Sequence, residues 1–224
     1  MNTTSRVSDR PRFGRNRLAK VVALLLGAGV AVALVASQVT SVEEPKYTVV
    51  QRQGAIEIRD YQPTIAAEVT VAGDRRTAAS AGFRLLAGYI FGGNQRHQSI
   101  AMTAPVAQQP TSQTIAMTAP VTQTASNAGW VVRFTMPAQY TLDTLPVPND
   151  PRVTLRHVAA TRQAVIGFSG FVGAANVATR TEELMHYVEA QHMHAIGPVA
   201  LAQYNPPWTL WFLRRNELLV SIAH

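Results

Sequence analysis

Residues 47–72, YTVVQRQGAIEIRDYQPTIAAEVTVA, decide the architecture. Apolar and polar residues alternate from Tyr47 to Arg52, again from Ala55 to Tyr61 after a turn at Gly54, and again from Ile65 to Ala72 after Pro63. A period of two belongs to strands with one face on a core and one toward solvent, so three successive half-buried strands are expected. The period then changes. From Asp74 to about Phe91, Ala79, Phe83, Leu86 and Ile90 fall on one stripe at spacings of three and four, and Ala78, Gly82, Leu85 and Tyr89 fall on the next. This is a helix opened by Asp74 and stopped by Gly92-Gly93-Asn94. Its apolar arc is wide, which leaves part of it to face something other than the sheet.

Working outward, the plan recurs. Trp130–Met136 reads as a strand ended by Pro137, and LPVPNDP from Leu145 to Pro151 reads as a connector. Strands Val153–Val158 and Gln163–Ser169 then precede a helix from about Thr179 to Ile196, where Thr179 and Glu182 fit a capping box. Ala200–Tyr204 and Leu210–Ile222 follow as strands. Two copies of strands, helix and strands imply one α+β domain with internal pseudo-symmetry and a cleft between helices and sheet. Residues 43–224 suffice for such a domain, burying roughly 70% of the unfolded-chain surface. A literal repeat, IAMTAPV at Ile100–Val106 and Ile115–Val121, has too few copies for a solenoid and reads as a hairpin or duplicated extended segment, its prolines favouring a sheet edge.

The formal charge of +7 over 224 residues is unevenly placed. Arg6, Arg10, Arg12, Arg15, Arg17 and Lys20 stand against Asp9 alone in the first twenty residues, and the remainder carries 14 basic and 12 acidic residues. A nucleic-acid binder needs its positive charge on the folded surface, so this distribution argues against one. With no cysteine in the chain, disulfides, thiolate zinc sites, iron–sulfur clusters, covalent c-type heme and cysteine nucleophiles are excluded.

Residues 1–20 are a basic cytoplasmic flank, followed from Val21 to Ala36 by the uncharged run VVALLLGAGVAVALVA. Segment 21–39 is a transmembrane anchor or a signal peptide: the run is at the lower limit of a span, and Val35-Ala36-Ser37 suits cleavage. The expected location is the inner membrane, single-pass with residues 43–224 on the periplasmic side, or a periplasmic or secreted domain after cleavage.

Several motifs together resemble the SOUL heme-binding family: Tyr47 with EIRDY (Glu57–Tyr61), Tyr89 before Gly92-Gly93-Asn94, IAMTAPV, and Tyr204-Asn205-Pro206-Pro207 with Arg214-Arg215-Asn216-Glu217. The resemblance runs from about Tyr47 to Val220. It implies a distorted antiparallel, barrel-like sheet of two βαββ-type repeats with two helices, similar to drug-sensing effector-binding domains. It also implies non-covalent binding of heme, or another flat apolar tetrapyrrole, between the first helix and the loop before the last strand. Carried over by position, Phe83, Leu86, Ala87 and Trp208 form the pocket wall. Two departures stand out. The histidine suggested as iron ligand in one branch of the family is Asp60 here, and the basic positions near the propionates are Ser80 and Thr209.

Heme iron takes His, Met, Cys or Tyr. His97, just past the glycine pair, is the candidate ligand outside the family pattern, and Met102 and Met117 are read as packing residues. His186, His192 and His194 diverge around a helix and make no metal set. Trp208 suits stacking on a porphyrin, Trp211 is read as core, and Arg214-Arg215 offer a propionate partner with Glu217 as a competing local one. The alternatives are an effector-binding domain for another apolar ligand, or a small-molecule hydrolase using Glu57, Glu68 or Glu217 as acid or base in a cleft. Gly167-Phe168-Ser169-Gly170-Phe171 lacks the second glycine of a nucleophile elbow.

Overall fold

The computed structural model describes residues 42–96 and 112–223. The N-terminal segment, His97, Met102 and the first IAMTAPV copy lie outside them. The strands are β1 (Tyr47–Gln53), β2 (Ile56–Tyr61), β3 (Thr64–Val71), β4 (Asn94–Gln95), β5 (Val121–Ser126), β6 (Gly129–Thr135), β7 (Val147–Pro148), β8 (Thr154–Val158), β9 (Thr161–Phe168), β10 (Ala195–Gln203) and β11 (Asn216–Ile222). Two α-helices, α1 (Arg75–Ile90) and α2 (Ala174–Ala190), and a 3-10 turn at Trp211–Leu213 complete the described elements.

Nine strands form one antiparallel sheet in the order β1-β2-β9-β11-β10-β5-β6-β3-β8. The order discloses the symmetry. Around the β10–β5 junction, β9-β11-β10 mirrors β3-β6-β5, so β3-α1-β5-β6 and β9-α2-β10-β11 are the two repeats. Their preceding strands are exchanged: β2 pairs with β9 of the second repeat, and β8 with β3 of the first. The expected α+β fold is present, but the sheet does not close into a barrel; β1 and β8 remain its two edges.

Each helix covers one half of the same sheet face. Leu86, Tyr89 and Ile90 of α1 pack on Val69, Val132 and Phe134, while Leu184, Tyr187 and Val188 of α2 pack on the β2, β9 and β11 side. Asp74 caps α1, its carboxylate accepting from the backbone N–H groups of Arg76 (3.0 Å) and Thr77 (3.1 Å). Gly82 lets the helix approach β6 closely, because a Cβ there would stand 2.5 Å from a methyl of Val132. Past the helix end, Gly93 N–H donates to Gly88 O (2.8 Å), and buried Asn94 donates to the carbonyls of Tyr89 and Gln113 while accepting from Gln113 N–H. The Gly-Gly-Asn motif therefore stops the helix and fastens the strand-like segment beside it.

Three expectations need correction. The second helix begins at Ala174 after Gly173, not at Thr179, and ends at Ala190, so Ala195 and Ile196 belong to β10. Residues 210–215 are not strand: Trp211–Leu213 form a 3-10 turn and β11 starts only at Asn216. The second IAMTAPV copy is not at an edge, since Ile115, Thr118 and Ala119 are buried and the segment feeds β5, which lies between β10 and β6.

Candidate functional site

The helix-free face of the sheet carries the alternate residues of each strand. In β2 these are Glu57, Arg59 and Tyr61, and from β11 Glu217 projects beside them. Arg59 donates to both oxygens of Glu217 (2.9 and 3.1 Å), to Glu57 (2.7 Å) and to Tyr61 Oη (3.0 Å). Tyr204 Oη donates to Glu217 (2.6 Å), and Arg215 adds two further bonds to the same carboxylate (3.0 and 3.2 Å) before reaching Glu44 (3.0 Å). Arg59 also lies over the Tyr47 ring, and Arg215 over that of Tyr204. Burial by itself would raise the Glu217 pKa, but the hydrogen bonds from Arg59 and Tyr204 outweigh it and hold the carboxyl below its usual range. Burial pushes Tyr61 up to about 12, and burial together with the Glu217 charge raises Tyr204 as well. This is a fully matched cluster. Accepting five hydrogen bonds, Glu217 has no lone pair left to take a proton from a substrate. Glu68, on the same face, is likewise held by Arg133 (2.7 Å) and Arg156 (3.0 Å).

The loop between β10 and β11 behaves differently. Trp208 is 82% exposed, and Leu210, Trp211, Phe212 and Leu213 are each more than half exposed, as is Phe171 from the loop after β9. Trp211 stacks on Phe171 (centroids 5.9 Å, 17° between planes) and meets Phe212 edge to face (5.6 Å). The sequence reading of Trp211 as core is thus corrected: it shields one face against Phe171 and shows the rest to solvent. The loop is braced from below. Arg214 donates to the carbonyls of Thr209 (2.8 Å) and Pro207 (2.5 Å), Gly170 N–H donates to Trp211 O (3.0 Å), and Asn216 donates to Gly170 O (3.1 Å). Phe171, Trp211 and Phe212 thus form a contiguous, braced aromatic patch that is exposed to solvent. It reaches the first helix as well, because Arg75 of α1 donates to Val172 O (2.8 Å), one residue past Phe171.

The motifs that build both regions lie in a stretch, residues 42–221, that matches the family model for the SOUL heme-binding protein. The chain belongs to the SOUL family. No curated relative matches it by sequence. Among solved structures it is similar to the C-terminal domain of EcmrR (10% identity, TM-score 0.50, 79% of this chain and 98% of that one) and to a hydrolase from Listeria innocua (11%, 0.51, 78% and 94%). EcmrR in complex with DNA is also similar (8%, 0.50, 92% and 67%). At these identities the likeness is one of fold alone.

Within this SOUL chain the four wall residues have different surroundings. Phe83 is 39% exposed and rests edge-on against Phe134 (5.4 Å). It stands about 100° around the helix from Gly82, the residue closest to the sheet, which places it at the border of the buried stripe. Ala87 is half-buried, Leu86 is wholly buried in the core, and Trp208 is the most exposed of the large apolar residues among those described. Asp60, where the SOUL branch pattern has its histidine, is gripped by Arg162 through two bonds (2.6 and 2.7 Å). Ser80 and Thr209 are uncharged, yet Arg76 and Arg84 lie one turn to either side of Ser80, and Thr209 O accepts from Arg214. Among the described residues no group of three or more His, Cys, Asp or Glu side chains is placed to hold a metal ion, and no helix is long and apolar enough to cross a membrane. A separate cavity of about 400 Å³, which sequence reasoning missed, lies between the β2–β3 turn and residues 135–142 and is lined by Pro45, Ile65, Met136, Tyr140, Leu142 and His157 among others. Its walls come from distant segments with no shared motif.

Proposed function

We propose that this SOUL protein binds heme or a related flat tetrapyrrole non-covalently, on the surface that joins the exposed border of α1 to the aromatic loop at residues 208–213. The observation that carries this reading is the braced patch of Trp208, Trp211, Phe212 and Phe171. Planar π-faces held open to solvent suit a porphyrin plane, and covering them removes apolar surface on both partners. Phe83 and Ala87 supply the helix side of the site, with Leu86 beneath them as support.

The residue set bears on the iron. Segments 75–88 and 205–214 contain no His, Met, Cys or Tyr, the usual heme ligands. The surface offers aromatic faces for a ring and no side chain of the kind that ligates iron. Metal-free protoporphyrin IX is therefore expected to bind about as tightly as hemin. The deciding experiment is a titration of both, with Phe83→Asp and Trp208→Ala/Trp211→Ala as controls. Saturable binding of both porphyrins, lost in the controls, supports the reading. Saturable binding that survives both controls places the ligand elsewhere, with the cavity beside His157 as the next location to test.

The hydrolase alternative is less favoured, because Glu57, Glu68 and Glu217 are each committed to arginine partners. We further propose an exported setting, with residues 21–39 as anchor or cleaved signal, supported by the order of basic and apolar residues at the N-terminus.

A further inference from the structure

The cavity beside His157 has a chemistry that the aromatic loop lacks. Residues 43–46 run as a strap from the segment after β6 to the β2–β3 turn, and both ends of the strap are tied down. Ala138 N–H donates to the Glu43 carboxylate (2.8 Å), Ala119 N–H donates to Glu43 O (2.9 Å), and Gln62 N–H donates to Lys46 O (3.0 Å). The strap and the turn together close one side of a space of about 400 Å³. Small-molecule sites span about 300–1,000 Å³ and are largely preformed, so a bonded enclosure of this size suits a compact ligand.

The lining is divided by chemistry. Met136 and Pro137 are buried at its base, and Pro45, Ile65 and Leu142 supply further apolar wall. Two nitrogen-bearing side chains stand beside the turn: Lys46, whose carbonyl is bonded to Gln62, and His157, which is opposite Ile65 in the β3–β8 register. Both are exposed, and among the described residues neither the ammonium nor the imidazole makes a hydrogen bond or an ion pair. The acids of the strap are already engaged, Glu43 by Ala138 N–H and Glu44 by Arg215 (3.0 Å). One such side chain on an open surface is ordinarily solvated; here two border the same enclosed apolar space. Open donors at one end of an otherwise apolar cavity match a molecule with an apolar body and an acidic head. Its body leaves water for the cavity, and its head accepts charge-assisted hydrogen bonds at the rim.

We propose that this cavity is a second ligand site, and that it takes a compact monocarboxylate with an aryl or short alkyl body, its carboxylate accepting from Lys46 and His157. The residues involved share none with the aromatic surface, so this site stands or falls apart from the porphyrin reading.

The test uses the full chain in phospholipid nanodiscs, with ¹³C-labelled methionine methyl groups, so that Met136 reports from inside the cavity and Met136→Leu identifies its signal. The probes are 4-phenylbutanoate, 4-phenylbutan-1-ol and 4-phenylbutylamine, one body with an anionic, a neutral and a cationic head, compared at equal free concentration. The acid should shift the Met136 signal saturably and bind at least about fivefold more tightly than the alcohol or the amine. Lys46→Met should remove most of that preference by weakening the acid alone, and Lys46→Arg should keep it. Leu142→Trp, at an exposed position of the wall, should block the acid by filling the space. Equal binding of acid, alcohol and amine by the wild type, which needs no variant to fold, overturns the inference. So does a Met136 signal that none of the probes moves, and so does acid binding that Leu142→Trp leaves intact.

Discussion

The Arg59–Glu217 cluster and the Trp208–Leu213 loop are neighbours in the chain, since Arg215 belongs to the first and Arg214 braces the second, yet they use their side chains in opposite ways. In the cluster every charge meets a partner and Glu217 is 2% exposed; in the loop apolar groups are held out in solvent. Several of the residues by which the family is recognised, EIRDY, the Gly-Gly-Asn stop and the Arg-Asn-Glu segment, are spent on internal bonds. The surface proposed for the ligand lies in the loop, where the family residues Asn205-Pro206-Pro207 and Arg214 frame a less distinctive apolar run.

The contrast can be broken most forcefully at Glu217. Glu217→Ala leaves Arg59 buried without its main partner, and a loss of about 3–5 kcal/mol is expected from the urea midpoint. Trp208→Ala/Trp211→Ala should change stability by no more than roughly 0.5 kcal/mol, as for other surface changes, while porphyrin binding disappears. A stable Glu217→Ala protein that had lost porphyrin binding would reverse the assignment of the two regions. A smaller effect sharpens the helix side. Gly82→Ala forces a methyl to within 2.5 Å of Val132 and should cost about 1–3 kcal/mol by overpacking, with Phe83 displaced from Phe134 and binding weakened in step. Thermal melts and a porphyrin titration on the same samples would measure both.

The mildest test is pH. Glu217 has its folded pKa held below the ordinary 4.5, so its contribution is present above that value and is lost as pH falls through the lower folded one. Tyr61 is raised from 10.0 to about 12, so its contribution is present below pH 10 and is lost as pH rises toward 12. Stability curves should fall off at both ends, and Glu217→Gln should flatten the acid limb. An unchanged acid limb in that variant would remove Glu217 from the account.

Much of the fold was legible where local chemistry and tertiary context agree. Alternation located β1, β2 and β3 within a residue or two, and Asp74 opened α1 because its side chain is the cap. The start of α2 was not legible: Gly173 offers no capping side chain, and Thr179 with Glu182 imitated a cap inside the helix. β5 passed unseen because TQTAS has no apolar alternation; its buried Gln123 is stabilised by Gln203 across the sheet (3.1 Å). The cluster was half visible. Glu57, Arg59 and Tyr61 share a face by their period of two, but only the long-range register could bring Glu217 to them. In the loop, the run of Leu210 to Leu213 was visible as apolar, and apolarity alone does not distinguish a core strand from a surface held open.

The exchange of strands between the repeats also orders events during synthesis. Ile56 of β2 pairs with Ile166 of β9, and Ala66 of β3 with Arg156 of β8. The first repeat has β6 alongside β3 early, but β2 gains its inner neighbour only after more than a hundred further residues have been made. Until then the β1–β2 hairpin has an open inner edge, the kind of surface on which nascent chains adhere to one another. Each repeat thus depends on a strand that precedes the other, and β5 and β9 keep open edges longer still, until β10 and β11 are made.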